Sequence, residues 1–203
     1  MKKAILFVCL TLFLSGLSFI VDCSAEKMQL TEEIIRLHVV ANSDSAEDQA
    51  QKLRVRDAVN NYLSDILDGV MTVEEAKKII LDNISELEKV ALEQLTKEGS
   101  AYDVNVRLAV EPFGIRHYDT FSLPSGVYTS LRVEIGAAAG KNWWCVAFPS
   151  LCMPATGEKF CEVATNSGFS DALTQSLTHN DKIEIRFYFL DFLGNLENYL
   201  YNR

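Results

Sequence analysis

The chain reads as an α+β fold: two antiparallel helices after a first strand, packed on a mainly antiparallel sheet, with a C-terminal helix. Three observations predict it. Behind capping residues, two long segments repeat apolar side chains every three or four positions. Several other segments alternate apolar with polar residues at the period of a strand. The long helical segments come early and most strands late, an order that suits helices segregated to one side of an antiparallel sheet.

Lys2 and Lys3 precede an uncharged run from Ala4 to Val21, and Cys23, Ser24 and Ala25 then offer the small residues at which a signal peptidase cuts. Residues 1–25 are therefore expected to be a signal peptide, with an N-terminal anchor as the competing reading. The apolar run is close to the roughly 18 residues at which a bilayer span becomes credible. Ile20, Val21 and Asp22 do not supply the small residues that lipid modification of Cys23 would want. Residues 26–203 are ample for one core and short for two, so a single α+β domain is expected.

Ile35, Leu37, Val39 and Ala41 alternate with Ile34, Arg36, His38 and Val40, predicting a first strand whose faces meet different environments. Asn42 to Ser45 breaks it. Asp44 or Ser45, with Glu47 and Asp48 three residues on, caps a helix that runs to about Asp68 on the stripe Val55, Val59, Tyr62, Leu63 and Ile66. Thr72 opens a second helix that buries Ala76, Ile80, Ile84, Leu87, Ala91 and Leu95 and ends at Gly99; so short a connection makes the two helices antiparallel. Tyr102 to Val110 is the cleanest alternating strand, with one wet face. After a loop-like stretch from Glu111 to Gly126, Val127 to Ile135 and Asn142 to Phe148 are expected to form a hairpin about the small-residue turn Gly136 to Gly140. A short helix over Phe169 to Thr178, a last strand through Ile183, Ile185 and Phe187, and a closing helix from Phe192 to Tyr201 complete the chain.

The chain carries 19 basic and 28 acidic side chains; removing Lys2, Lys3 and Asp22 with the leader leaves 17 and 27, a net charge of −10. Nucleic-acid phosphates and anionic lipid headgroups would repel such a domain. Beyond the leader lie Cys145, Cys152 and Cys161. Outside the cytoplasm a disulfide persists, and Pro149 places a turn between Cys145 and Cys152. A zinc site is the other reading of these cysteines, although His38, His117 and His179 give no ligand-pair spacing. No cofactor is implied by any motif.

Catalytic signatures are sparse. The chain has no nucleophile elbow, no glycine-rich phosphate loop and no histidine pair on one helical face. His38 with Asp44 or Asp57 and Ser43 or Ser45 is the one arrangement that would suit a hydrolase. The densest charge lies on the helix after the first strand, where Asp48, Lys52, Arg56 and Asn60 stand one turn apart and Arg54 reaches Asp57. Such a basic line in an acidic protein is either a solvated face or a binding surface. Trp143 and Trp144, adjacent in a strand, point to opposite sides of the sheet. Burial of both is favoured; an exposed one would mark a protein-binding face.

Residues 36–57, RLHVVANSDSAEDQAQKLRVRD, and residues 140–152, GKNWWCVAFPSLC, together resemble one family, the stage II sporulation protein R proteins of endospore-forming bacteria. The resemblance runs from about Ile34 to the C-terminal tail. The family's tryptophan–cysteine block has a cysteine at each matching position, which supports a Cys145–Cys152 disulfide and leaves Cys161 spare. Where the family's hairpin turn alternates glycines, Ala138 replaces the middle one, which weakens any role that needs a positive backbone angle there. The resemblance implies a protein secreted into the space between forespore and mother-cell membranes. There it would activate a membrane-embedded sporulation aspartyl protease that processes pro-sigma-E, with no turnover of its own and no small-molecule substrate. Membrane proximity would then come through the receptor. The candidate partner-binding residues are Asn42, Asp44, Lys52, Arg54, Arg56, Asp57 and Trp144. Rival classes are an exported hydrolase of peptidoglycan or peptides and a structural envelope protein.

Overall fold

The computed structural model describes residues 2–118, 121–149, 164–166, 169–178 and 185–203. Helix α1 (Lys2–Glu33) leads into β1 (Ile35–Val40), followed by α2 (Ala46–Ile66), α3 (Val73–Asp82) and α4 (Ile84–Lys97). Then come β2 (Val104–Phe113), the short β3 (Arg116–His117) and β4 (Ser122–Leu123), β5 (Gly126–Ile135), β6 (Asn142–Phe148), α5 (Asp171–Leu177) and α6 (Ile185–Tyr201). The α+β class and the C-terminal helix are as expected. Ser45 and Thr72 both cap, accepting from the Asp48 and Glu75 amides.

Four departures from the sequence reading have physical causes. The second helix is broken at Asn83, which donates its side-chain amide back to the Ile79 carbonyl and accepts from the Tyr62 hydroxyl. Arg54 meets Glu98 and Tyr62 meets Asn83, so α2 and α4 run antiparallel. Residues Ile185 and Phe187 begin α6 instead of ending a strand; three alternating apolar residues suit either period, and here the helix wins. Helix α1 continues unbroken past Ala25 to Glu33, burying Cys23, Lys27 and Leu30. It is long and apolar enough to cross a membrane.

The fourth departure organises the fold. Strands β5 and β6 do not pair as a hairpin, because β1 lies between them in the order β2-β5-β1-β6. β1 runs parallel to β5 and antiparallel to β6, while β2 runs antiparallel to β5. Central position explains why β1 is buried along its whole length.

Alternation sorts the two faces of the sheet. Ile35, Leu37, Val39, Val106, Leu131, Val133 and Cys145 join Val55, Val59, Leu63, Ile80, Leu87 and Leu95 in the core under α2 to α4. On the reverse face Phe113, Tyr128 and Val146 meet Leu30, Ile34, Leu173 and Leu190. Glu88 on α4 accepts the Val106 amide of edge strand β2. At the other layer, Asp191 and Glu197 of α6 accept the Ser125 and Val127 amides, and Asn198 donates to the Phe113 carbonyl.

Helix α6 approaches so closely because Gly194 faces the chain at Ser125. A β-carbon there would collide with the Ser125 carbonyl. Gly194→Ala is expected to push α6 off β5, lowering stability by about 2 kcal/mol in urea titration and speeding amide exchange across Ile185–Tyr201.

Candidate functional site

Crossing the end of β1 obliges the 136–141 turn to span two strand spacings, and the segment after β1 fills the gap. Gly140 N donates to Ala41 O (2.9 Å) and Ala139 N to Asn42 O (3.1 Å). The Asn42 side chain serves both sides: its Oδ1 accepts from Ala137 N (2.9 Å) and its Nδ2 donates to Asp48 Oδ2 (2.9 Å). Asp44 Oδ1 accepts from Lys141 N at 2.6 Å. Ser43 Oγ donates to the same Asp48 oxygen at 2.5 Å, and these bonds from Ser43 and Asn42 hold the Asp48 carboxyl below the ordinary carboxylate range. The result is a knuckle in which the turn after β1, the β5–β6 connection and the first turn of α2 are bonded to one another.

Lys52 belongs to the inside of this knuckle. Only 4% exposed, it donates to Gln49 Oε1 (2.7 Å) and to the Lys141 carbonyl (3.0 Å), and burial lowers its pKa. Asn42, Asp44 and Lys52 are therefore occupied in holding the turn. Arg54, exposed, pairs with Glu98 on the neighbouring helix.

What the knuckle offers outward is Asp57 and Trp143, with the Arg56 side chain, 19% exposed, packed between them. The Arg56 guanidinium lies 4.2 Å over the Trp143 ring and donates from Nε to Asp57 Oδ1 at 2.8 Å. Trp143 keeps 36% of its surface exposed. Burial of both tryptophans is thus not what the fold produces. Trp143 stands opposite Val39 on the face of the sheet nearest α2, where Arg56 of that helix covers it only in part. Trp144 takes the reverse face, half-buried, stacked at 3.6 Å on His38 with Phe113 edge-on at 4.7 Å. No sequence signal distinguishes the two; the register of β6 against β1 does.

His38 does not reach the aspartates or serines considered for hydrolysis. Its Nδ1 lies 3.0 Å from Glu111 Oε1, and Arg132 bridges to Glu111 Oε2 (2.8 Å) and Glu134 Oε1 (2.7 Å). Burial pushes the Glu111 carboxyl up, but the bonds from His38 and Arg132 outweigh it and hold the group down at about 2. This ladder was not legible, because its members come from three strands. Among the described residues no cluster of histidine, cysteine and acidic side chains forms a metal site. Cys145 is buried in β6 and only Cys9 and Cys23 are free thiols among the described cysteines; the expected partner, Cys152, lies outside the described residues.

Two outcomes test this geometry. Ala138 takes a positive φ of 49° despite its side chain, so Ala138→Gly should raise stability by about 0.5–1 kcal/mol in urea titration. Glu111, lowered from 4.5 to about 2, contributes stability that is present above its unfolded pKa and lost as pH falls through the folded one. That amounts to about 3 kcal/mol. Urea midpoints should fall steeply between pH 4.5 and 2 in the parent and less steeply in Glu111→Gln.

No solved structure matches the chain. The sequence profile of the family described as Stage II sporulation protein R (spore_II_R) matches residues 31–157, which hold β1 to β6 of the described residues, α2 to α4 and the knuckle. Over 161 residues the chain is 32% identical to the stage II sporulation protein R of Bacillus subtilis (strain 168), covering 75% of this chain and 71% of that protein. Matched over more than half its length by the profile, with the strand-turn-helix and tryptophan segments both inside the match, the chain belongs to the stage II sporulation protein R family.

Proposed function

We propose that this chain is an exported intercellular signal of sporulation that activates a membrane-embedded aspartyl protease and so leads to processing of pro-sigma-E. Helix α1 supplies the export signal, and the family supplies the sporulation context. The space between forespore and mother-cell membranes is where such a signal would act. The observation that carries the binding role is the Trp143–Arg56 pair. A large, part-exposed aromatic ring with a guanidinium packed over it is held by a knuckle whose other polar groups are spent internally. Tryptophan and arginine are the residues that most often dominate a protein interface.

An aspartyl protease needs two carboxylates that share one proton. A receptor that contributes one carboxylate per chain is switched on by a ligand that binds its paired form more tightly than its unpaired form. Turning a 1:99 population into 99:1 takes about 5.5 kcal/mol of differential affinity, which a few buried anchor residues supply. The knuckle's rigidity matters here, because ordering a loose loop would consume part of that difference. A Cys145–Cys152 disulfide would further fix β6 two residues on from Trp143. In this reading the chain has no turnover of its own. The rival hydrolase gains no support from His38, which is committed to Glu111 on the reverse face.

Purified full chain, protease and precursor in one membrane should yield cleaved precursor. Trp143→Ala and Arg56→Glu are each expected to lower the cleavage rate at least about tenfold, from the loss of about 2 kcal/mol at an anchor, with unchanged thermal unfolding. Parent-like cleavage by both variants would remove this surface from the mechanism.

A further inference from the structure

Helix α6 carries an apolar face that, among the described residues outside the helix, only the Arg203 guanidinium touches, 5.0 Å over the Tyr199 ring. Tyr188, Phe192, Leu196 and Tyr199 recur one turn apart, with exposures of 62, 62, 48 and 57%. The charged side chains within the helix turn elsewhere: Arg186 pairs with Glu26, Asp191 accepts from Ser125 N, and Glu197 pairs with Lys27. The stripe itself is uncharged.

Helix α1 says what covers it. The run Ala4–Val21 spans about 27 Å as a helix, close to the roughly 30 Å hydrocarbon core of a bilayer, and Lys2 and Lys3 flank its cytoplasmic end. Phe19 belongs to that run, yet its ring packs 5.6 Å from Phe189 of α6 and 5.8 Å from the Arg186 guanidinium. Three residues short of Asp22, Phe19 lies about 4–5 Å below the helix's exit. With α1 in the bilayer, α6 therefore meets the outer interface. Phe192 continues the contact, 6.2 Å from Phe189, onto the exposed stripe.

From this continuity we infer that α6 is a lipid-contacting foot, whose Tyr188–Phe192–Leu196–Tyr199 face lies in the outer interface of the membrane that α1 crosses. Tyrosine, phenylalanine and leucine are the residues of such interfacial faces. The contact is apolar, because a domain of net charge −10 gains nothing from anionic headgroups. It is independent of the protease-activating reading and lies beyond residue 157, where the family profile ends.

The test uses full chain reconstituted in phosphatidylcholine vesicles with or without bromine on the acyl chains. Phe192→Trp places a reporter on the stripe, Tyr199→Trp reads its far end, and Leu81→Trp on α3, also an exposed apolar site, is the control; parent emission from Trp143 and Trp144 is subtracted. At least twofold quenching of the α6 reporters by brominated lipid is expected, unchanged in 1 M NaCl, with no quenching at position 81. Reporters on α6 that track the control would overturn the inference. So would blue-shifted emission without bromine quenching, which would mean that a protein covers the stripe.

Discussion

The position of β1 between β5 and β6 is the constraint on which the rest of the molecule depends. A chain leaving β5 cannot turn tightly into β6; it has to pass over the end of β1, across two strand spacings of about 5 Å each. A turn that wide leaves its amides without ladder partners, and an unpaired backbone group costs about as much as a lost hydrogen bond. The segment after β1 satisfies them. Asn42, Ala41 and Asp44 accept from Ala137, Ala139, Gly140 and Lys141, and the Lys141 carbonyl accepts from Lys52. Gly140 has to be glycine, since a β-carbon would strike the Ser43 carbonyl. Gly136 has to be glycine for its positive φ and for the Asn42 side chain beside it.

Burying β1 on both faces also brings polar groups inside. Arg36 is fully buried and has no carboxylate partner among the described residues. Its Nε donates to the Cys145 carbonyl and its Nη2 to the Tyr118 hydroxyl, while its charge lies 4.4 Å from the Phe113 ring centroid and 5.1 Å from that of Tyr128. Aromatic faces stabilise a desolvated guanidinium by about 2 kcal/mol. Two strand positions on, His38 is stacked on Trp144 and tied to Glu111. The reverse face of the sheet is thus an ordered polar-aromatic layer, and Trp144 is part of its packing. That is why Trp143, on the other face, is the tryptophan left to face outward.

Local signals were legible in the sequence and nonlocal ones were not. Both helix caps, the stripe of α2 and the alternation of β2 and β5 depend on residues within a turn or a strand of one another. So does the span of α5, expected over Phe169 to Thr178 and found at Asp171–Leu177. The supposed β5–β6 hairpin failed because the inserted partner comes from about a hundred residues earlier. Ile183, Ile185 and Phe187 alternate as a strand would, but Phe187, Leu190 and Gly194 bury at helical spacing, and the tertiary contact at Ser125 decides between the periods. Of the site, the strand-turn-helix segment was visible as a unit. The burial of Lys52 was not, because its partner carbonyl belongs to the turn that crosses β1.

The knuckle and helix α6 sit at opposite ends of the sheet. Helix α6 binds β5 at its start, through Ser125 and Val127, whereas the knuckle follows the strand's last residue at Gly136. Nine steps of about 3.3 Å separate Val127 from Gly136, roughly 30 Å along the strand. A domain seated on one membrane by α1 and α6 would therefore carry Trp143 and Arg56 about that far along its sheet from the seat. Under the proposed function, such an arrangement would turn the anchored end toward one membrane and the Trp143 end toward the other. Orientation would then be set by the fold before any partner binds, so that less rotational freedom would be lost in a complex.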